Sequence, residues 1–392
     1  MVTSFRSKKV IYIGYAPLTS KTAKDFFIED LVKSGVRVEY WDLSQYYFKG
    51  LKIYGAVNYP WIKSIDNLKE LKKLLSDKEN KNADYFINFP YTGKVIKLFW
   101  ILTKEKVSIS IIGRGLLPVP GATIRDSLKK FFTPGMLKKA INYFFNRIAL
   151  VLKKMGFVKT FDRIYIAGHD AIKVAGIGYE MDQRSSRLIP INSSDYDGFL
   201  LVKEAGNIIK YPYVVFLDEY LPYHSDVSMF GLKTVIASEY YPLLNDFFNA
   251  IEKEFNIKVV IAAHPKAELY NENNFFSGRD VFFNKTAQLV KHAEFVLSHN
   301  STSVSFAILF KKKLLLLYTN YMQEKMIYYI HGINHFSIAL NLTKINISEP
   351  YTLHQDIFIY DEEKYNNYKY NYLTSVQTEG ELSSDVFLKS LK

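Results

Sequence analysis

KVVIAAHPKAE (residues 258–268) and LVKHAEFVLSHNSTSVSFAILFKKKLLLLYT (residues 289–319) set the reading of the whole chain. Residues 258–263 form a short, mostly apolar strand-like run that stops at His264-Pro265. Residues 294–297 form another, stopping at Ser298-His299-Asn300, and residues 313–317 a third. Between them, residues 286–292 and 303–310 have helical periodicity. Strands alternating with short helices predict βαβ units, hence a parallel sheet with right-handed crossovers.

The same rhythm extends in both directions. Upstream lie a strand at 213–217 ending at Asp218-Glu219 and a helix at 239–254. The amino-terminal half opens with a strand at 10–14, a helix at 22–33 that stops near Gly35, and a strand at 36–41. Further strands are expected at 85–89, 107–112, 163–167 and 188–191, with a helix at 93–102. The strand at 107–112 ends at Gly113-Arg114-Gly115, and that at 163–167 ends at Gly168-His169-Asp170. The 392 residues suit two domains of roughly 150–200 residues each. The expected division is 1–205, an acceptor-binding domain, and 206–392, a nucleotide-sugar domain. A last short helix after Ser383-Ser384-Asp385 is free to return to the first. The expected fold class is α/β, with two Rossmann-like domains facing across a cleft. Ligands of such sheets sit at the carboxyl ends of the strands.

Composition narrows the chemistry. The chain contains no cysteine, which removes disulfides, thiolate nucleophiles and cysteine-ligated metals. No apolar run reaches the ~18–20 residues that span a bilayer, and the amino terminus lacks a signal-peptide core. A cytoplasmic protein is expected. The net charge of +12 is uneven. Lys129, Lys130, Lys138, Lys139, Arg147, Lys153 and Lys154 fall in a stretch free of acids between Ser127 and Phe161. Leu137, Ile141, Phe144, Ile148 and Val151 or Leu152 recur there at helical spacing. A basic amphipathic helix of this kind suits either an anionic membrane surface or a domain helix with a solvated basic face. No nucleic-acid motif accompanies it, so no nucleic-acid partner is expected.

Two strand ends carry candidate chemistry. Pro265 keeps His264 out of the helical region, so its imidazole can bond to a phosphate or protonate it. The run Ser298-His299-Asn300-Ser301-Thr302-Ser303 opens a helix, where hydroxyls, backbone N–H groups and the helix dipole can seat an anion. The same residue types also serve as plain helix caps. Ser301 follows His264 by 37 residues. In this order and spacing the pair resembles the His-Pro and Ser-Ser/Ser-Thr motifs of bacterial sialyltransferases and polysialyltransferases. More loosely, it resembles the carboxy-terminal domain of GT-B enzymes that build surface polysaccharides. The resemblance covers residues 211–340. It implies that His264, next to Pro265, assists departure of a CMP phosphate. It implies that Ser301, Thr302 and Ser303 help to bind that phosphate without a metal or other cofactor, and Ser298 and Asn300, in the same helix-opening run, are candidates for the same seat.

The family's general base belongs to an Asp/Glu-Asp/Glu-Gly motif of the first domain. Here Asp218-Glu219 is followed by Tyr220 and lies in the second. Asp218, Glu219 and Asp170 are therefore rival candidates for the base. Asp195 and Asp197, in SDYDG, are further candidates; as a metal-binding Asp-x-Asp they would lie at a domain join, and no metal is expected. Gly14, Arg114, His331 and His335 are secondary candidates, with Gly332 weakening a helix there. The expected activity is inverting transfer of a nonulosonic acid from a CMP-sugar to a bacterial glycan or glycolipid at the inner membrane face. A UDP- or GDP-sugar transferase, a CDP-glycerol-type polymerase and a UDP-sugar 2-epimerase are alternatives on the same fold. A non-catalytic glycan-binding scaffold is the alternative outside enzymes.

Overall fold

The structure, a computed structural model, describes residues 9–50, 56–89, 91–114, 136–170, 179–224 and 233–391. It divides into two compact units. Of the described residues, the first holds those up to Ser194 together with residues 374–391, and the second holds residues 195–373.

The first unit is built on β1 (Lys9–Gly14), β2 (Arg37–Asp42), β3 (Ile62–Ser64), β4 (Asp84–Asn88), β5 (Ser108–Gly113), β6 (Arg163–Ala167) and β7 (Arg187–Ile191). Their order is β3-β2-β1-β4-β5-β6-β7, and every pairing is parallel. Side chains alternate across the sheet as the strand period of two requires. Ile11 and Ile13 enter one core layer, with Trp41, Tyr85 and Phe99. Val10 and Tyr12 enter the other, with Phe27, Phe86 and Tyr165.

The second unit repeats the plan with β8 (Tyr213–Leu217), β9 (Lys258–Ala263), β10 (Val281–Phe283), β11 (Phe295–Ser298), β12 (Lys313–Tyr318) and β13 (Lys344–Asn346). The order is β10-β9-β8-β11-β12-β13, again all parallel. Val214 and Phe216 face one layer; Tyr213, Val215 and Leu217 face the other. Strands β3, β10 and β13 escaped the sequence reading. Each has three residues, too few to show a period, and each is fixed by pairing with a longer neighbour.

Several local expectations change. The helix expected at 22–33 is two short helices, Ser20–Asp25 and Ile28–Lys33, broken at Phe27, whose φ is 58°. The units part at Ser194 and Asp195, upstream of residue 205. The helix Ser194–Leu201 belongs to the second core because Tyr196 is buried there and Phe199 packs on Phe310, ring centroids 4.9 Å apart. The carboxy-terminal helix Ser383–Ser390 sits in the first unit. Phe387 stacks on Phe27 at 4.8 Å and meets Phe86 and Tyr165 edge-on. Beside it the buried Asn192 amide is saturated. Its Nδ2 donates to the Thr378 and Glu381 carbonyls at 3.1 and 2.6 Å. Its Oδ1 accepts from the Thr374 and Thr378 hydroxyls at 2.6 and 2.8 Å.

The basic helix, Met136–Lys154, is turned differently from either reading. Lys129 and Lys130 lie outside the described residues, as do the side chains of Leu137, Lys138 and Lys139. Lys153 is buried, ion-paired with Asp182 and 4.4 Å from the Tyr91 ring centroid. Tyr91 donates its hydroxyl to the Ala149 carbonyl at 2.7 Å. Part of the apolar stripe faces outward: Phe144 is 62% exposed and Val151 53%. Among the described residues no helix is long and apolar enough to cross a membrane.

On a solvated helix face a charge reversal is nearly silent. At a buried ion pair it leaves Asp182 beside a like charge. Lys153→Glu is therefore expected to destabilise the first unit by about 3–5 kcal/mol, read by urea denaturation. A loss below ~0.5 kcal/mol would place the side chain in solvent.

Candidate functional site

Strands β9, β8 and β11 are neighbours, so their carboxyl ends bring His264, Asp218-Glu219 and Ser298–Ser303 to one edge of the second sheet. The chain runs from β8 through β9 to β10, then returns to the other side of β8 as β11. The gap between β8 and β11 is thus the topological switch point, where open α/β sheets leave a crevice. The two acids flank it from β8 and the serine run from β11.

Asp218 is turned inward and is 4% exposed. Its Oδ2 accepts the Tyr220 backbone N–H at 3.1 Å. The Tyr270 hydroxyl and the backbone N–H groups of His264 and Glu219 also favour its charged form. Burial outweighs them and pushes the carboxyl up to about 7. Its Oδ1 is sealed from solvent without a well-aligned donor. Tyr270 shares a hydroxyl–hydroxyl bond of 2.9 Å with Tyr241. Asp218 therefore ties β8, the His264 turn and an aromatic wall together.

Glu219 keeps part of its surface open. Its Oε1 accepts the Asn300 backbone N–H at 2.8 Å, a bond that spans the switch point. Burial, opposed by the Tyr329 hydroxyl and by that N–H, pushes its carboxyl up to about 7. Tyr220 then adopts φ 54°, in the left-handed region that favours glycine and costs other residues about 1–2 kcal/mol. Tyr220 accepts that cost while buried in the core.

His264 is partly exposed, and its Nδ1 accepts the Lys266 N–H at 3.2 Å. Pro265 beside it is exposed. The His224 ring packs against His264, centroids 4.8 Å apart at 60°. His224 was missed in the sequence, although it follows the acid pair by five residues in the loop after β8. His299 is fully buried: its Nδ1 donates to the Leu317 carbonyl at 2.7 Å and its Nε2 accepts from the Tyr240 hydroxyl at 2.9 Å. Burial lowers its pKa to about 4, so it stays neutral and structural.

The serine run is divided in its roles. The helix after it, Val304–Leu309, has six residues, shorter than expected. Ser301 accepts the Ser303 N–H at 3.2 Å, which is local capping. The Ser298 hydroxyl is buried without a partner, Thr302 is exposed, and Ser303 makes no side-chain cap. Asn300 is backed by Gly332: a Cβ there would lie 2.3 Å from Asn300 Oδ1. Gly332 thus lets the helix Ile327–Leu340, which carries His331 and His335, press on the crevice.

The remaining candidates lie elsewhere. Asp170 follows β6 in the first unit, just after Gly168, whose φ is 78°. Asp195 and Asp197 are acids in the first turn of the helix Ser194–Leu201, where they complement its dipole. Among the described residues no cluster of three His, Asp or Glu side chains suits a metal. Gly14 answers to the chain itself, since a Cβ there would strike the Tyr40 hydroxyl at 1.9 Å. Arg114 donates to the Asn192 and Asp25 carbonyls, each at 3.1 Å.

No protein-family model matches the sequence, and no curated protein matches it significantly. Solved structures follow its whole course. The wall teichoic acid polymerase TagF has a TM-score of 0.51 at 11% identity, covering 98% of this chain and 90% of that one. Looser likenesses are MnaA of S. aureus, solved with UDP (0.46, 13% identity, 98% and 96% covered), and the UDP-GlcNAc 2-epimerase of Methanocaldococcus jannaschii (0.45, 12%, 98% and 99%). At such identities the likeness is one of fold. The chain has two parallel-sheet α/β domains of the GT-B kind.

The acid pair also sets a pH dependence. Both carboxyls hold a proton to about pH 7 when folded and to about pH 4 when unfolded. Between these values the folded state binds more protons, so stability falls as pH rises from ~4 to ~7 and levels off above. Asp218→Asn is expected to flatten that slope in denaturation series. An equal slope in the variant would show that Asp218 titrates normally.

Proposed function

We propose that the chain is a nucleotide-dependent glycosyltransferase whose donor phosphate binds at the carboxyl edge of the second sheet. One observation carries this reading. His264, the acid pair and the serine run, far apart in sequence, converge on the switch point of a GT-B domain. The acceptor hydroxyl attacks the anomeric carbon. The bond from that carbon to the donor phosphate breaks with its electron pair on the phosphate, and the hydroxyl proton passes to a carboxylate. His264 stabilises the leaving phosphate by hydrogen bonding or proton donation. Ser298, Asn300, Ser301, Thr302 and Ser303 complete its seat. Glu219, with a carboxyl pushed up to about 7, suits proton transfer at neutral pH better than the buried Asp218, which acts by positioning. Asp170 is the first unit's candidate base.

For the donor we propose a CMP-linked nonulosonic acid, supported by the order and spacing of the His-Pro and serine motifs. Transfer is inverting and needs no metal. A second reading is CDP-glycerol-type polymer synthesis, favoured by the likeness to TagF. The acceptor is a surface glycan or glycolipid at an anionic membrane face. Exposed Phe144, Val151 and Met155, beside exposed Arg147 and Lys154, support that placement.

Thermal unfolding of the protein against CMP, CDP, UDP and GDP, with and without EDTA, tests the assignment. A ligand held at 100 times its Kd stabilises the folded state by about 2.7 kcal/mol. Stabilisation by CMP that resists EDTA is expected. A shift with CDP alone favours the polymerase reading, and one with UDP or GDP alone overturns the cytidine donor. No shift with any of the four points to a non-catalytic scaffold. With the right donor, His264→Ala is expected to lower turnover ~10²–10⁴-fold at unchanged melting temperature.

A further inference from the structure

The first sheet has its own switch point, between β1 and β4, and its chemistry is the opposite of the second's. A cavity of about 590 Å³ opens there, within the ~300–1,000 Å³ range of small-molecule sites. Tyr15 follows β1, Phe89 follows β4, and Tyr47 and Phe48 close the short helix after β2. Ile141 and Phe145 of the helix Met136–Lys154 form the facing wall. That wall is seated at backbone level. Gly93 donates its N–H to Asn146 Oδ1 at 2.8 Å, and a Cβ on Gly93 would lie 2.5 Å from Phe145 Cβ.

The rings in this cavity meet one another at steep angles. Tyr15 and Phe89 lie 5.3 Å apart at 55°, and Tyr47 and Phe89 5.1 Å apart at 63°. Such a herringbone offers no flat platform for a sugar ring, and Asn146 spends its carbonyl on Gly93. Apolar groups dominate the interior, which fits hydrocarbon better than a hydroxylated ligand. The cavity is open to the surface, because Phe48, Ile141 and Phe145 are each about half exposed. Charge at the mouth is positive. Lys94 is exposed in the lining, and no carboxylate lines the cavity among the described residues. Lys97, Trp100 and Lys104 are exposed on the helix that follows, with Lys104 Nζ 5.6 Å from the Trp100 ring centroid.

We infer that this cavity receives the apolar chain of an amphiphilic acceptor whose head group is anionic. Calling the ligand an acceptor rests on the transferase reading; the binding itself can be measured without turnover. The chain lies among Tyr15, Phe48, Phe89, Ile141 and Phe145, and Lys94 meets the head. The exposed apolar side chains of the same helix place the mouth where such a molecule is met, at a lipid surface.

The test is calorimetric titration of the full chain with dodecyl phosphate, below its aggregation concentration, and with inorganic phosphate. Ile141→Asp and Phe48→Asp are titrated in parallel; both positions are half exposed and lie on different elements, so failure of one to fold leaves the other. One saturable site for dodecyl phosphate is expected, with no binding of inorganic phosphate at equal concentration. Each variant that keeps the wild-type melting temperature is expected to bind roughly tenfold more weakly or worse. Equal binding by a folded variant would overturn the inference, as would saturable binding of inorganic phosphate to the same strength. Nucleotide stabilisation without dodecyl phosphate binding would sink the cavity assignment alone. Dodecyl phosphate binding without nucleotide stabilisation would sink the transferase reading and leave the cavity.

Discussion

A carboxylate that leaves water has to be compensated, and much of the polar geometry of the second unit follows from that need at Asp218. The backbone turns sharply after β8 because the Tyr220 N–H must reach this carboxyl, and the turn puts Tyr220 in a left-handed conformation. The Tyr241–Tyr270 pair closes over the same group. The loop after β9 is drawn in by the His264 N–H, which leaves the imidazole at the rim. Incomplete compensation keeps the carboxyl near neutrality rather than fully charged. A buried acid that organises its neighbours in this way is better suited to hold a site in shape than to exchange protons with substrate.

Most of the fold was legible because most of the long strands are largely apolar runs that stop at polar or turn-forming residues. His264, Asp218, Glu219 and Ser298 were found for the same reason: each terminates such a run. Other features depend on contacts that leave no local trace. The short strands β3, β10 and β13 exist only through pairing. Lys153 lies in a basic stretch, and only its distant partner Asp182 reveals that it is buried. Gly332 reads as a helix weakness until the Asn300 side chain is seen occupying the missing Cβ position. The bond from Glu219 to Asn300 joins residues 81 positions apart. Strand ends pointed to both residues, but not to their meeting.

The two units also show how little topology dictates chemistry. Each is a parallel sheet with one reversal of strand order, and each has its candidate site at that reversal. In the second, the residues after the strands are acids, histidine and hydroxyls. In the first, they are tyrosines and phenylalanines roofed by a helix. The crevice is supplied by the fold, while the few residues that follow each strand choose between an ionic and a hydrocarbon guest.

The return of residues 374–392 to the first unit has a consequence for the order in which the molecule is made. Until those residues leave the ribosome, Phe27, Phe86 and Tyr165 lack the ring of Phe387, and the Asn192 amide lacks Thr374, Thr378 and Glu381. The second unit, by contrast, has its whole sequence by residue 373. Domains usually mature from the amino terminus onward during synthesis. Here the part translated first is completed only after the second unit, and it waits half-built, with an apolar face open, for residues 374–392 to close it.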